Sequence, residues 1–137
     1  MSVSTAKINR LLDDEWPASN VRCLEVTPVM ALAKSTFGPS ALRPGGYVSG
    51  PSQFAVADAA LWFLVFGVLD RIEPMALTSE LSIRYLRPAL GDSVHARARL
   101  DRAGKRLVVG TIAVWTGDDE AKPTAVAQGT YTLPGSG

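Results

Sequence analysis

The sequence predicts an α+β domain in which a curved antiparallel sheet wraps around one long central helix. Three observations lead there. Residues Pro51 to Gly67 are apolar on nearly every side, so they form a helix that must be covered all round. Four stretches after it alternate apolar and polar residues and are joined by short turns, which makes them antiparallel strands. Two more extended segments come before it. At 137 residues the chain is one domain, 1–137, with 1–18 as an N-terminal helix and lead-in and 134–137 as a loose tail.

In chain order, Ile8, Leu11, Leu12 and Trp16 recur at helical spacing until Pro17 ends the pattern. Val21 to Val26 and Val29 to Phe37 read as strands with a break at Thr27-Pro28. Gly38 to Gly50 contains two prolines and four glycines and reads as loop. The central helix begins near Pro51, because proline suits the first helical position, and Gly67 is its expected C-cap. Asp70 to Pro74 is a turn. In the next strand Leu77, Leu81, Ile83 and Tyr85 alternate with Thr78, Glu80, Ser82 and Arg84, while Ser79 falls on the apolar side. The following strand alternates Val94, Ala96, Ala98 and Leu100 with polar residues, and Asp101 to Lys105 is its hairpin connection. Arg106 to Thr116 is apolar on both faces in its middle, as a central strand should be. The last strand, Thr124 to Leu133, places Ala125, Ala127, Tyr131 and Leu133 on one face.

Composition excludes several functions. Lys and Arg number 14 against 13 Asp and Glu, so no charge excess attracts nucleic acid or an anionic membrane. Cys23 is the sole cysteine and His95 the sole histidine, which leaves no basis for a disulfide or a metal cluster. The first seven residues contain no apolar signal core. The uncharged run Ala59 to Leu69 is 11 residues, whereas a membrane span needs about 20. A cytoplasmic protein with no membrane partner is expected.

Four segments carry a family resemblance. Val56-Ala57-Asp58-Ala59-Ala60 sets an acid among small residues on the helix. Glu80 to Ala89 ends in Leu-Arg-Pro-Ala and is followed by Gly91-Asp92. Arg99 to Leu107 is a basic hairpin, and Ala127-Gln128-Gly129-Thr130-Tyr131 is a closing strand. In order and spacing, from about Val21 to Leu133, they resemble the hotdog-fold acyl-CoA thioesterases, in particular the phenylacetate-degradation type. The resemblance implies a hotdog fold with five or six strands around the helix and a coenzyme A thioester as substrate. It implies no cofactor, and a homodimer or homotetramer whose sites lie between subunits. In that family a His-Gly-Gly loop opens the helix and the Asp follows nine residues after the His. Here those loop positions are Ser49, Gly50 and Pro51. Arg43 stands where the family often has Asn, and Ala59 where it often has Thr.

Asp58 is the candidate catalytic group. A carboxylate partly withdrawn from water can act as general base on a water beside the thioester carbonyl, or attack that carbonyl itself. Its other reading is a structural acid that binds a loop or an Arg. By resemblance the Gly50 N–H polarises the carbonyl, as free amides at a helix start can hold an oxyanion; otherwise Gly50 only lets the chain turn. Pro51 has no N–H to add a second donor. Ser49 either touches substrate or caps the helix. His95 reads as a solvated strand residue. Arg102, Lys105 and Arg106 either hold the coenzyme A phosphates or form a solvated hairpin tip. Phe54, Ala55, Leu61 and Trp62 share the Asp58 side of the helix, so Phe54 and Trp62 are candidate acyl-pocket residues. Trp62, Phe63 and Phe66 also read as core. The competing function is a non-catalytic hotdog protein that binds an acyl thioester or fatty acyl group. Hotdog dehydratases and hydratases resemble a pattern with a catalytic His, which this helix lacks.

Overall fold

The computed structural model describes residues 2–135, so Ser136 and Gly137 of the expected tail lie outside the described residues. Helix α1 (Thr5–Glu15) leads into strands β1 (Val21–Thr27) and β2 (Met30–Thr36). A 3-10 turn (Pro39–Ala41) and a short strand β3 (Tyr47–Val48) precede the central helix α2 (Gly50–Leu69). Then come β4 (Leu77–Tyr85), β5 (Ala89–Leu90), β6 (Ser93–Ala103), β7 (Leu107–Thr116) and β8 (Ala125–Thr132). Six strands form one antiparallel sheet in the order β1-β2-β6-β7-β8-β4. β3 and β5 pair separately. Their two residues each are too few for alternation to show, which is why Gly38 to Gly50 reads as loop in the sequence.

The sheet curves around α2, and Leu61, Phe63, Leu64, Val65 and Phe66 are fully buried. α2 is long and apolar enough to cross a membrane, with a mean hydropathy of 1.7 over 18 residues, but 56% of that window is buried inside this domain. It approaches the middle of the sheet closely at paired glycines. Gly110 and Gly129 face each other across β7 and β8. A Cβ on either would come within 2.7 or 2.8 Å of the Leu61 methyls. The helix therefore seats Leu61 where the sheet has no side chains.

α2 is longer than expected at both ends. It runs to Leu69, and Asp70, at φ 55°, supplies the left-handed cap expected of Gly67. Gly67 lies inside the helix, where a Cβ would overlap the Thr27 carbonyl oxygen. Packing against the β1–β2 turn, not helix termination, demands glycine there.

α1 is capped by Ser4, whose Oγ accepts from the Lys7 N–H. It lays Ile8 and Leu12 into the same core as α2. Asn9 ties it to β1 in both directions, donating to the Cys23 carbonyl (3.0 Å) and accepting from the Cys23 N–H (2.9 Å). The Asp70 carboxylate accepts from the backbone N–H of Ser2 (2.8 Å) and Val3 (3.0 Å), which fastens the chain start to the far end of α2.

Two strands depart from their expected pattern. β6 continues to Ala103, past a bulge at Asp101, so the connection to β7 is only Gly104 to Arg106. β4 has a bulge between Thr78 and Glu80, where Ser79 is the extra residue. One extra residue reverses the inward-outward alternation. Beyond the bulge Thr78 joins the helix-facing set and Leu77 is 60% exposed, the reverse of the alternation read from the sequence.

Helix propensity and packing make opposite forecasts at position 67. Gly67→Ala should gain about 1 kcal/mol as a helix interior substitution, but the overlap with Thr27 should dominate. The expected result in urea denaturation is a net loss of about 1–3 kcal/mol. Hydrogen bonds from the Val3 and Ser2 amides hold the Asp70 carboxyl below its ordinary value of 3.8. Its stabilising contribution is therefore complete above that pH and is lost as the pH falls through the lowered native value. Asp70→Asn should flatten this acid limb, and amide exchange in α1 should speed up in the variant at neutral pH.

Candidate active site

One face of α2 carries Ser52, Ala55, Val56, Ala59 and Trp62 at intervals of three and four. The small residues in this stripe leave space between α2 and the neighbouring α1 and start of β4. A pocket of about 490 Å³ remains there. Its walls include Leu12, Trp16, Phe37, Ala55, Ala59 and Trp62, and Asp58 lies at its edge. Asp58 is half-buried.

Two hydroxyls hold the Asp58 carboxylate. Thr78 Oγ1 donates to Oδ1 at 2.7 Å, and the Tyr131 hydroxyl donates to the same Oδ1 at 2.8 Å. Among the described residues no hydrogen bond engages Oδ2. Thr78 reaches the carboxylate because the β4 bulge turns it inward, opposite Tyr131 in the β4–β8 register. Burial, and then the Asp58 charge, push the Tyr131 hydroxyl well above the usual phenol range, so it stays protonated as a donor. The arrangement fixes one carboxylate oxygen and leaves the other without a hydrogen-bond partner among the described residues.

The remaining candidates are distributed more widely. Ser49 caps α2: its Oγ accepts from the Ser52 N–H at 3.2 Å. Gly50 opens the helix, and its carbonyl accepts from the Tyr85 hydroxyl at 2.7 Å. It borders a separate pocket of about 520 Å³ with Arg43, Tyr85 and Arg87. Asp58 lies eight residues further along the helix, about 12 Å down its axis. One carbonyl cannot touch both groups of the same chain. Trp62 lines the Asp58 pocket and packs on Phe66 (ring centroids 4.9 Å apart), whereas Phe63 and Phe66 are core. Phe54 is 36% exposed and Leu61 points into the sheet, so neither lines the Asp58 pocket. Arg102, Lys105 and Arg106 are exposed at the β6–β7 connection. That connection lies at the sheet end where Val108 pairs with Tyr131.

His95 is half-buried, not simply solvated. It stacks on Trp115 on the sheet face away from α2 (centroids 5.4 Å apart, 8° between planes), and its Nδ1 is buried without a partner. Arg97, held by Glu120 at 2.7 Å, covers the same Trp115 ring. Desolvation and then Lys34 hold the His95 pKa below its usual value. Cys23 is buried, which pushes its thiol up to about 12 and removes it as a nucleophile. Among the described residues no three His, Cys, Asp or Glu side chains gather as a metal ion requires.

The architecture is the hotdog fold, the fold of a class of thioester hydrolases. The chain belongs to the thioesterase superfamily, whose family model matches residues 45–122. A candidate thioesterase from Silicibacter sp. TM1040 is similar at 29% identity and TM-score 0.84, over 96% of this chain and 92% of the other. Phenylacetic acid degradation protein PaaI from Thermus thermophilus, solved as a mutant, has 23% identity and TM-score 0.70, over 86% and 96% of the two chains. Thioesterase HI1161 from Haemophilus influenzae has 18% identity and TM-score 0.82, over 98% and 92%. At those identities the last two similarities concern the fold alone. No curated protein matches the sequence.

Thr78 and Tyr131 escaped the sequence reading as site residues. Thr78 sits in the polar set of an alternating strand, and its one signal is Ser79 breaking that alternation. A hydrogen bond to a charged group is worth about 1.5–3 kcal/mol. Thr78→Val and Tyr131→Phe should each lower kcat for thioester hydrolysis about tenfold or more while KM changes little. Steady-state assays on the two folded variants check this.

Proposed function

We propose that the protein hydrolyses acyl-CoA thioesters to the free acid and coenzyme A, with Asp58 as general base. The observation that carries this reading is the one-sided clamp on Asp58, with Oδ1 bound by two hydroxyls and Oδ2 free at the pocket wall. Oδ2 takes a proton from a water in the pocket as the water oxygen bonds to the thioester carbonyl carbon. The carbonyl oxygen becomes an oxyanion. When the tetrahedral intermediate collapses the C–S bond breaks, and the proton on Asp58 passes to the departing thiolate.

The oxyanion donor is assigned to Gly50 of the partner subunit. β4 is an edge strand of nine residues with an unpaired outer side, flanked by exposed Met75 and Leu86. Its Thr78 end is bonded to Asp58 and its Tyr85 end to Gly50. Antiparallel pairing of β4 with its own copy would set the Thr78 end of one subunit beside the Tyr85 end of the other. This would bring the two groups together, although they stand about 12 Å apart on one helix. The unit is then at least a homodimer. Arg102, Lys105 and Arg106, at the sheet end that carries Tyr131, supply cations for the nucleotide phosphates of coenzyme A. The reading implies a cytoplasmic enzyme that needs no cofactor.

The competing reading, binding without hydrolysis, is favoured by one observation. Ser49 Oγ accepts from the Ser52 N–H and donates to the Ser52 hydroxyl, so its own proton is already engaged and is not free to polarise a carbonyl. Thiol release from short, medium, long and aryl acyl-CoAs decides between them. Turnover should fall at least about a hundredfold in Asp58→Asn. Tight binding with no release across the panel would sink the hydrolase. Light scattering should show a dimer or tetramer, and a stable monomer would overturn the shared site. Replacing Arg102, Lys105 and Arg106 by Ala should raise KM for the acyl-CoA but not for the matching acyl-pantetheine, which lacks the nucleotide.

A further inference from the structure

The lining of the pocket beside Asp58 includes the polar residues Ser19, Asn20, Ser35 and Ser52 and the apolar residues Leu12, Trp16, Trp62 and Pro74. A second hollow of about 540 Å³ shares those four apolar residues and is lined as well by Leu11 and Glu15. Trp16 and Trp62 thus belong to a partition between two spaces. Trp62 is held by its packing on Phe66. Trp16 caps α1, its N–H donating to the Leu12 carbonyl at 2.9 Å, yet the residue is 56% exposed. Its backbone is fixed by a helix pinned through Asn9 and Asp70, while its ring is not locked into the core.

We infer that the Trp16–Trp62 partition is the end wall of the acyl chamber and sets the length of acyl group the enzyme accepts. The inference rests on the thioesterase reading of Asp58. With the thioester carbonyl at Asp58, an apolar acyl group runs toward the apolar lining. Asp58 and Trp62 are four residues apart, about 6 Å along the helix axis. An extended chain advances about 3.5 Å per three bonds, so about five or six carbons reach the partition. The substrate class is a medium straight-chain acyl group, or an aryl-acyl group of the same reach. Longer chains meet the tryptophans. Removing the Trp16 ring would join the chamber to the second hollow.

The experiment measures kcat/KM for acetyl-, hexanoyl-, decanoyl- and palmitoyl-CoA with wild type, Trp16→Ala and Ala59→Leu. Ala59 lines the chamber between Asp58 and the partition, so leucine there should shorten the accepted chain. A methylene that a pocket accepts or refuses is worth about 10–200-fold. Wild type should therefore favour hexanoyl over palmitoyl, and Trp16→Ala should raise the palmitoyl-to-hexanoyl ratio about tenfold or more. Ala59→Leu should move the preference toward acetyl. The exposure of Trp16 makes its loss tolerable for folding, and circular dichroism confirms that each variant is native. Unchanged length profiles in both folded variants would overturn the inference.

Wild type that turns over no thioester would refute the hydrolase reading instead. The chamber is then judged on alkyl-CoA thioethers, which cannot be hydrolysed. Calorimetric affinity that rises to a length limit, with that limit extended in Trp16→Ala, supports the partition. Affinity independent of chain length overturns it.

Discussion

A helix that is apolar on every side must be covered on every side, and the rest of the domain meets most of that demand. α2 has no amphipathic face to turn to water. The six strands curve around it, and paired Gly110 and Gly129 remove side chains where Leu61 meets the sheet. Gly67 does the same against the β1–β2 turn. α1 adds cover on another flank through Ile8 and Leu12. Burying a leucine- or phenylalanine-sized side chain contributes about 1.5–3 kcal/mol, and α2 buries several.

The cover is incomplete along one stripe, and the proposed site lies there. Ala55 and Ala59 are too small to fill the space under α1, so a pocket remains beside Asp58. A carboxylate on such a helix needs polar partners, because a half-buried charge without them is costly. Thr78 and Tyr131 supply them from two neighbouring strands. The β4 bulge is the device that makes this possible. Were Ser79 paired in register instead of bulged, it would take the place opposite Tyr131 and Thr78 would face outward. A local fault in one edge strand therefore positions the carboxylate of a central helix.

β4 connects the two halves of the proposed site. One end touches Asp58 through Thr78, and the other touches Gly50 through Tyr85. This edge strand leaves its outer side unpaired, which suits a second copy of the chain. The outer sheet face is built differently. There His95, Arg97 and Glu120 seal Trp115, a polar arrangement that neither faces α2 nor adjoins the pocket.

Much of this was legible in the sequence. The apolar run from Pro51 fixed the existence of a buried helix, and period-two alternation with short turns identified the antiparallel strands, because both patterns are local. The acid at position 58 stood out for the same reason: it breaks an apolar run. What needed the third dimension was every relation between distant segments. The reversal of Thr78 depends on strand register, which a single out-of-phase serine hints at but does not determine. Gly67 looked like a helix stop because its neighbour in space, Thr27, is 40 residues away in the chain. His95 looked solvated because Trp115 lies on another strand. By itself the sequence determined which segments fold and which side chains are chemically unusual, since propensity and periodicity act over a few residues. Only the tertiary structure decided which of those side chains meet, because pairing register, bulges and close approach are set by contacts across the whole chain.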